Sequence, residues 1–104
     1  MKEKYKKYSL GLHPSNAGTV DSYIRGIDMI DRVLPFNEEG LTINSSIWDI
    51  TDVQILNEIL NIIDKESRKA DGGIFRNEKS TSYWKKGFCH SALKEFIDFV
   101  CNKS

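Results

Sequence analysis

The stretch Phe88 to Cys101 reads F-C-H-S-A-L-K-E-F-I-D-F-V-C. Ala92, Leu93, Phe96, Ile97, Phe99 and Val100 recur at helical spacing, so the segment predicts an amphipathic helix with one broad apolar face. Ser91 and Ala92 are small and allow a second helix to approach closely. Lys86, His90 and Lys94 recur every four residues, which sets them along one edge of that face if the helix extends back to Lys86.

Working outward, the next firm helix upstream is predicted from Asp52 to about Lys69. Thr51 and Gln54 read as a capping box, and Asp52 adds negative charge in the first turn. Val53, Leu56, Leu60 and Ile63 share one side, widened by Ile55, Ile59 and Ile62. Lys65, Arg68 and Lys69 complement the negative end of the helix. A further helix is predicted from Ala17 to Leu34, with Asn16 as N-cap and Pro35 as terminator. Its apolar stripe is Val20, Tyr23, Ile24, Ile27, Ile30, Val33 and Leu34. Gly26 lies in its middle, costs about 1 kcal/mol relative to alanine, and marks a close helix crossing.

The connections are short. Residues 36–46 read as a polar loop anchored by Leu41 and Ile43. Ile47 to Ile50 form a short turn with Trp48 as a buried plug. Asp71-Gly72-Gly73 reads as a helix stop and hinge, and residues 74–80 as a charged loop. Thr81 or Ser82 is expected to cap a turn through Tyr83-Trp84-Lys85-Lys86. Residues 1–12 read as a basic tail whose Tyr5, Tyr8, Leu10 and Leu12 dock its second half, and residues 13–104 as one helical domain. No alternation of the strand period is sustained.

With 104 residues, the chain is expected to bury a single core. Hydrophobic residues at 39% and charged residues at 29% fit a globular chain with no membrane span. The N-terminus has no apolar segment behind its lysines, so no secretory signal is expected. Cys89 and Cys101 would stand about 18 Å apart along one helix. That is too far for a disulfide, and reduced thiols of a cytoplasmic protein are expected.

The net charge is zero but unevenly spread. Lys2, Lys4, Lys6 and Lys7 against Glu3 give +3 over residues 1–9. Residues 10–64 carry Arg25 and Arg32 against nine acids, a net of −7. Residues 65–104 carry nine basic and five acidic residues, a net of +4. A domain polarised in this way can hold an anionic partner on one side.

Thr19 to Ile30, T-V-D-S-Y-I-R-G-I-D-M-I, resembles the opening helix of tyrosine-recombinase core-binding domains, small modules of the SAM-like type. Phe88 to Val100 resembles the closing helix of helical domains that precede HNH nuclease and restriction endonuclease modules. Ile47 to Asp52 resembles the turn before their middle helix. The likeness covers most of residues 15–101 and lies in packing positions. It implies an all-α, SAM-like bundle of four to five helices, acting as a DNA-binding or accessory domain of a larger machine. The arginine, histidine and tyrosine set of the recombinase catalytic domain is not in the sequence, nor is an HNH constellation.

Catalytic and metal chemistry find little support in the residues. Adjacent Cys89 and His90 point about 100° apart on a helix, and neither they nor His13 and Cys101 have zinc-ligand spacing. Gly72-Gly73 lacks the lysine and threonine of a phosphate loop. No cofactor and no metal are expected. The remaining reading is nucleic-acid binding through Lys65, Arg68, Lys69, Arg76, Lys79, Lys85, Lys86, His90 and Lys94, with Trp84 among them. Cations neutralise phosphates, and an exposed aromatic ring stacks on a base; a buried Trp84 would instead cover the core. The expected partners are DNA and a nuclease module. The rival reading is a protein-interaction adaptor or a homodimerisation domain.

Overall fold

The computed structural model describes residues 1–103, with side chains through Asn102. The described residues form five α-helices and no strand: α1 (Lys2–Leu12), α2 (Ala17–Val33), α3 (Val53–Ser67), α4 (Ser82–Lys85) and α5 (Phe88–Lys103). Three 3-10 turns, Leu34–Phe36, Ile47–Asp49 and Gly73–Phe75, shape the connections. None of these helices is long and apolar enough to cross a membrane.

Helix α5 is the centre of the bundle. Helices α2 and α3 pack along it, and α1 and α4 close its two ends. The predicted close crossing is present: a methyl group placed on Gly26 would stand 3.6 Å from the Ala92 Cβ and 3.6 Å from the Cys89 Cα. The Cys89 thiol donates to the Gly26 carbonyl at 3.6 Å. Asn16 caps α2 by accepting from the Thr19 amide. Trp48 is the expected plug; its indole Nε1 donates to Asp28 Oδ1 at 2.8 Å.

Several expectations are corrected. Residues 2–12 form helix α1 rather than a tail; Tyr5 and Tyr8 dock as expected, Tyr5 wholly buried, whereas Leu10 and Leu12 are exposed. The Tyr5 ring meets Trp48, Phe96 and Phe99 with centroids 5.6–5.8 Å apart, within the range favoured by tilted aromatic pairs. Together with Tyr8, whose ring lies 5.3 Å from Phe99, it docks an otherwise lysine-rich helix. At α3 the cap is Asp52, one residue later than expected; its Oδ1 accepts from the amides of Gln54 and Ile55. The buried side of α3 is also rotated, with Ile59 fully buried and Leu60 only half-buried.

Helix α3 already ends at Ser67 with Arg68 as C-cap, and Asp71-Gly72-Gly73 is a tightly packed turn rather than an open hinge. Gly72 and Gly73 have φ of 86° and 55°. Added methyl groups would stand 2.9 Å from the Trp84 ring and 2.8 Å from the Glu66 carbonyl oxygen. Positive φ and close packing both demand glycine there. The segment after it is not simply a charged loop, because Ile74 and Phe75 turn into the core. Thr81 precedes α4 without a side-chain cap. Gly87 at φ 82° ends α4 and reorients the chain. The helix thus does not extend back to Lys86, and the edge drawn through Lys86, His90 and Lys94 is broken.

These positions set expected stabilities. Leu56→Ala and Phe96→Ala should each lower the unfolding free energy by about 2–5 kcal/mol, since each empties a closed site. Leu60→Ala should cost clearly less than Leu56→Ala in the same urea titration. Equal losses would mean that the buried face of α3 is misassigned.

Candidate nucleic-acid interface

The ends of three helices converge on one cleft. The last turns of α3 supply Asp64, Ser67 and Arg68, α4 supplies Trp84 and Lys85, and the start of α5 supplies Cys89 and His90. Ile63, Phe75 and Gly87 complete a cleft of about 350 Å³.

Trp84 forms a wall of this cleft and is only 8% exposed. Its ring stacks on Phe75, with centroids 5.6 Å apart and planes 15° from parallel. Its indole Nε1 is buried without a hydrogen-bond partner, a condition few native donors tolerate. Lys85 Nζ lies 5.3 Å from the Trp84 ring centroid. His90 Nδ1 meets Asp64 Oδ1 at 2.7 Å. Cys89 is 2% exposed, and burial pushes its thiol up to about 12, which disfavours the reactive thiolate.

Of the ten residues expected to bind DNA, the cleft therefore gathers Arg68, Trp84, Lys85 and His90. Lys65 and Lys69 are drawn to the acidic loop before the Ile47 turn. Lys65 reaches Glu39 at 3.5 Å, and Lys69 reaches both Glu38 and the buried Glu66. The hydrogen bond to Glu66 holds the Lys69 ammonium above its ordinary range. Arg76 lies in a separate cleft beside Arg32 and Phe36. Lys79, Lys86 and Lys94 are exposed.

A second polar cluster escapes sequence reasoning. Glu95 on α5 accepts from Tyr5 Oη at 3.1 Å and from Ser9 Oγ, while its other oxygen meets His13 Nε2 at 2.9 Å. Burial first, and Glu95 second, hold the Tyr5 hydroxyl well above its ordinary range. Ser9 is fully buried and bound to the carboxylate, so this serine–histidine–glutamate group clamps α1 to α5 and presents no exposed nucleophile. The signal was available: Tyr5, Ser9 and His13 are spaced by four and share one helix face. Among the described residues, no group of three or more histidine, cysteine, aspartate or glutamate side chains is placed to hold a metal.

No protein-family model, curated protein or solved structure matches the chain.

Glu95→Ala should be among the more damaging single substitutions. It strips the acceptor from Tyr5, Ser9 and His13 at once and should cost about 3 kcal/mol or more, because unsatisfied buried donors carry roughly 1–3 kcal/mol each. Thermal unfolding checks this, and His13→Ala, which removes only one half-exposed partner, should cost less. Equal midpoints for Glu95→Ala and the wild type would remove the clamp from the account.

Proposed function

We propose that this helical domain binds DNA and positions a nuclease- or recombinase-type module on its target, without carrying out chemistry itself. The cleft between α3, α4 and α5 supports this reading. Arg68 and Lys85 border it, and neither makes an ion pair with a carboxylate among the described residues. Both cations are exposed, so a phosphate can reach them without breaking an ion pair. The start of α5 adds backbone amides and the positive end of a helix dipole, which favour an anion. His90, held by Asp64 through Nδ1, is partly exposed at the same place, whereas the buried Trp84 covers the core rather than offering an open face for stacking.

The likeness of Thr19–Ile30 and Phe88–Val100 to SAM-like domains of recombinases and restriction endonucleases agrees with this assignment. Such a domain works in the cytoplasm, with the cleavage chemistry on another module. Neutral overall charge is compatible with that division of labour, since phosphate contacts here are local and few.

Binding to a short duplex should fall steeply with added salt. Arg68→Glu with Lys85→Glu should abolish it at moderate ionic strength and lower the salt slope by about two, one unit for each lost phosphate contact. Both side chains are exposed, so the fold should survive, as circular dichroism would confirm. Arg25→Glu on α2 should change little. No binding by the wild type at low salt, or unchanged binding by the double variant, would overturn the proposal.

A further inference from the structure

The most exposed large apolar side chain lies away from the DNA cleft. Phe36 is 69% exposed. It ends the 3-10 turn Leu34–Phe36, whose first turn holds Pro35, so the backbone on its N-terminal side is rigid. The residue after it, Asn37, fixes the other side. Its Nδ2 donates to the carbonyls of Leu34 and Leu41 at 2.7 and 2.9 Å. Its Oδ1 accepts from the amides of Glu39 and Leu41 at 3.0 and 3.3 Å. The turn is thus held by both ends of one amide, and Phe36 is displayed by a backbone that cannot fold it inward. An exposed aromatic on a rigid turn is pre-organised to bind, since little ordering entropy remains to be lost.

Phe36 stands at the edge of a cleft of about 460 Å³, with Val33 and Ile74 as its apolar wall and Arg32 and Arg76 beside them. The two cations differ. Arg32 is already bound to Glu78 at 2.7 Å. Arg76 gives one guanidinium nitrogen, Nη1, to the Gly73 carbonyl at 3.1 Å and makes no ion pair among the described residues. A half-anchored guanidinium with its remaining donors open is suited to a carboxylate, which it can hold in a forked geometry.

We propose that this cleft is a docking site for a short acidic segment of a protein partner: an apolar side chain enters between Phe36 and Ile74, and a neighbouring aspartate or glutamate pairs with Arg76. The size lies within the roughly 300–1,000 Å³ typical of ligand clefts. Arginine is among the residues enriched in binding hot spots, where aromatic anchors fill well-packed pockets. The site's lining residues are not shared with the cleft between α3, α4 and α5. It also explains a division within the basic third of the chain, in which Arg76 serves a protein contact and Arg68 and Lys85 serve phosphates.

The test is selection of a phage-displayed random peptide library on the immobilised wild-type domain, followed by fluorescence anisotropy with the enriched peptide. Enriched sequences should pair an aromatic or aliphatic residue with aspartate or glutamate. Binding should weaken about tenfold or more in Phe36→Ala and in Arg76→Glu, while duplex binding by Phe36→Ala stays at the wild-type level. Both side chains are exposed, so both variants should keep the wild-type circular dichroism spectrum. No enrichment, enrichment of basic sequences, or equal affinity for Phe36→Ala would overturn the proposal. So would two further outcomes: wild-type dimerisation that Phe36→Ala abolishes, which assigns the face to a second copy, and loss of duplex binding in Phe36→Ala, which assigns it to nucleic acid.

Discussion

The crossing of α2 and α5 at Gly26 is the contact on which the remaining geometry depends. The helices are close enough here that a methyl placed on Gly26 would already touch the Ala92 Cβ and the Cys89 Cα. The Cys89 thiol then finds a carbonyl partner inside the crossing. A methyl at Gly26 would meet ordinary van der Waals contacts, but a longer side chain would part the helices. Once α5 is fixed here, its two halves do different work. The first turn carries His90 toward the end of α3, where Asp64 receives it. The second half carries Glu95, Phe96 and Phe99 toward α1, where Tyr5 and Ser9 receive them.

Charge is arranged around this frame in a way the sequence only hints at. Lysine-rich α1 lies against acidic α2, and Lys2 pairs with Asp28 at 2.9 Å. The same Asp28 holds the Trp48 indole with its other oxygen, so one carboxylate ties a surface cation to the aromatic core. The acidic loop holding Glu38 and Glu39 meets Lys65 and Lys69. These exposed pairs contribute little to stability, about 0–1 kcal/mol each. Their consequence is selective, because they occupy some cations and leave others open.

Sequence periodicity was a good guide to burial in α2 and α5, and to the existence of α3 though not to which of its sides is buried. It failed at α1, whose burial rests on Tyr5, Ser9 and a carboxylate 86 positions away from Ser9. Four lysines in the first seven residues look like a solvated tail unless the Tyr5, Ser9 and His13 spacing is noticed. Ile74 and Phe75 were missed because two apolar residues between glycines and charges show no period. At the candidate interface, proximity in the chain was mistaken for proximity in space. Arg68, Trp84, Lys85 and His90 do converge, but Lys65, Lys69 and Arg76 are led elsewhere by Glu38, Glu39, Glu66 and the Gly73 carbonyl. Only tertiary structure reveals those partners.

The most direct test of the functional account uses the two tryptophans as paired reporters. In a ¹⁵N-labelled sample the indole N–H signals of Trp48 and Trp84 can be told apart with the variant Trp84→Phe. Trp48 donates to Asp28 behind α1, whereas Trp84 forms a wall of the cleft and has no acceptor. On titration with a short DNA duplex at low salt, the Trp84 signal should move progressively and the Trp48 signal should stay in place. Movement of Trp48 alone, or of neither signal while the duplex binds, would contradict the account by placing the DNA elsewhere on the domain.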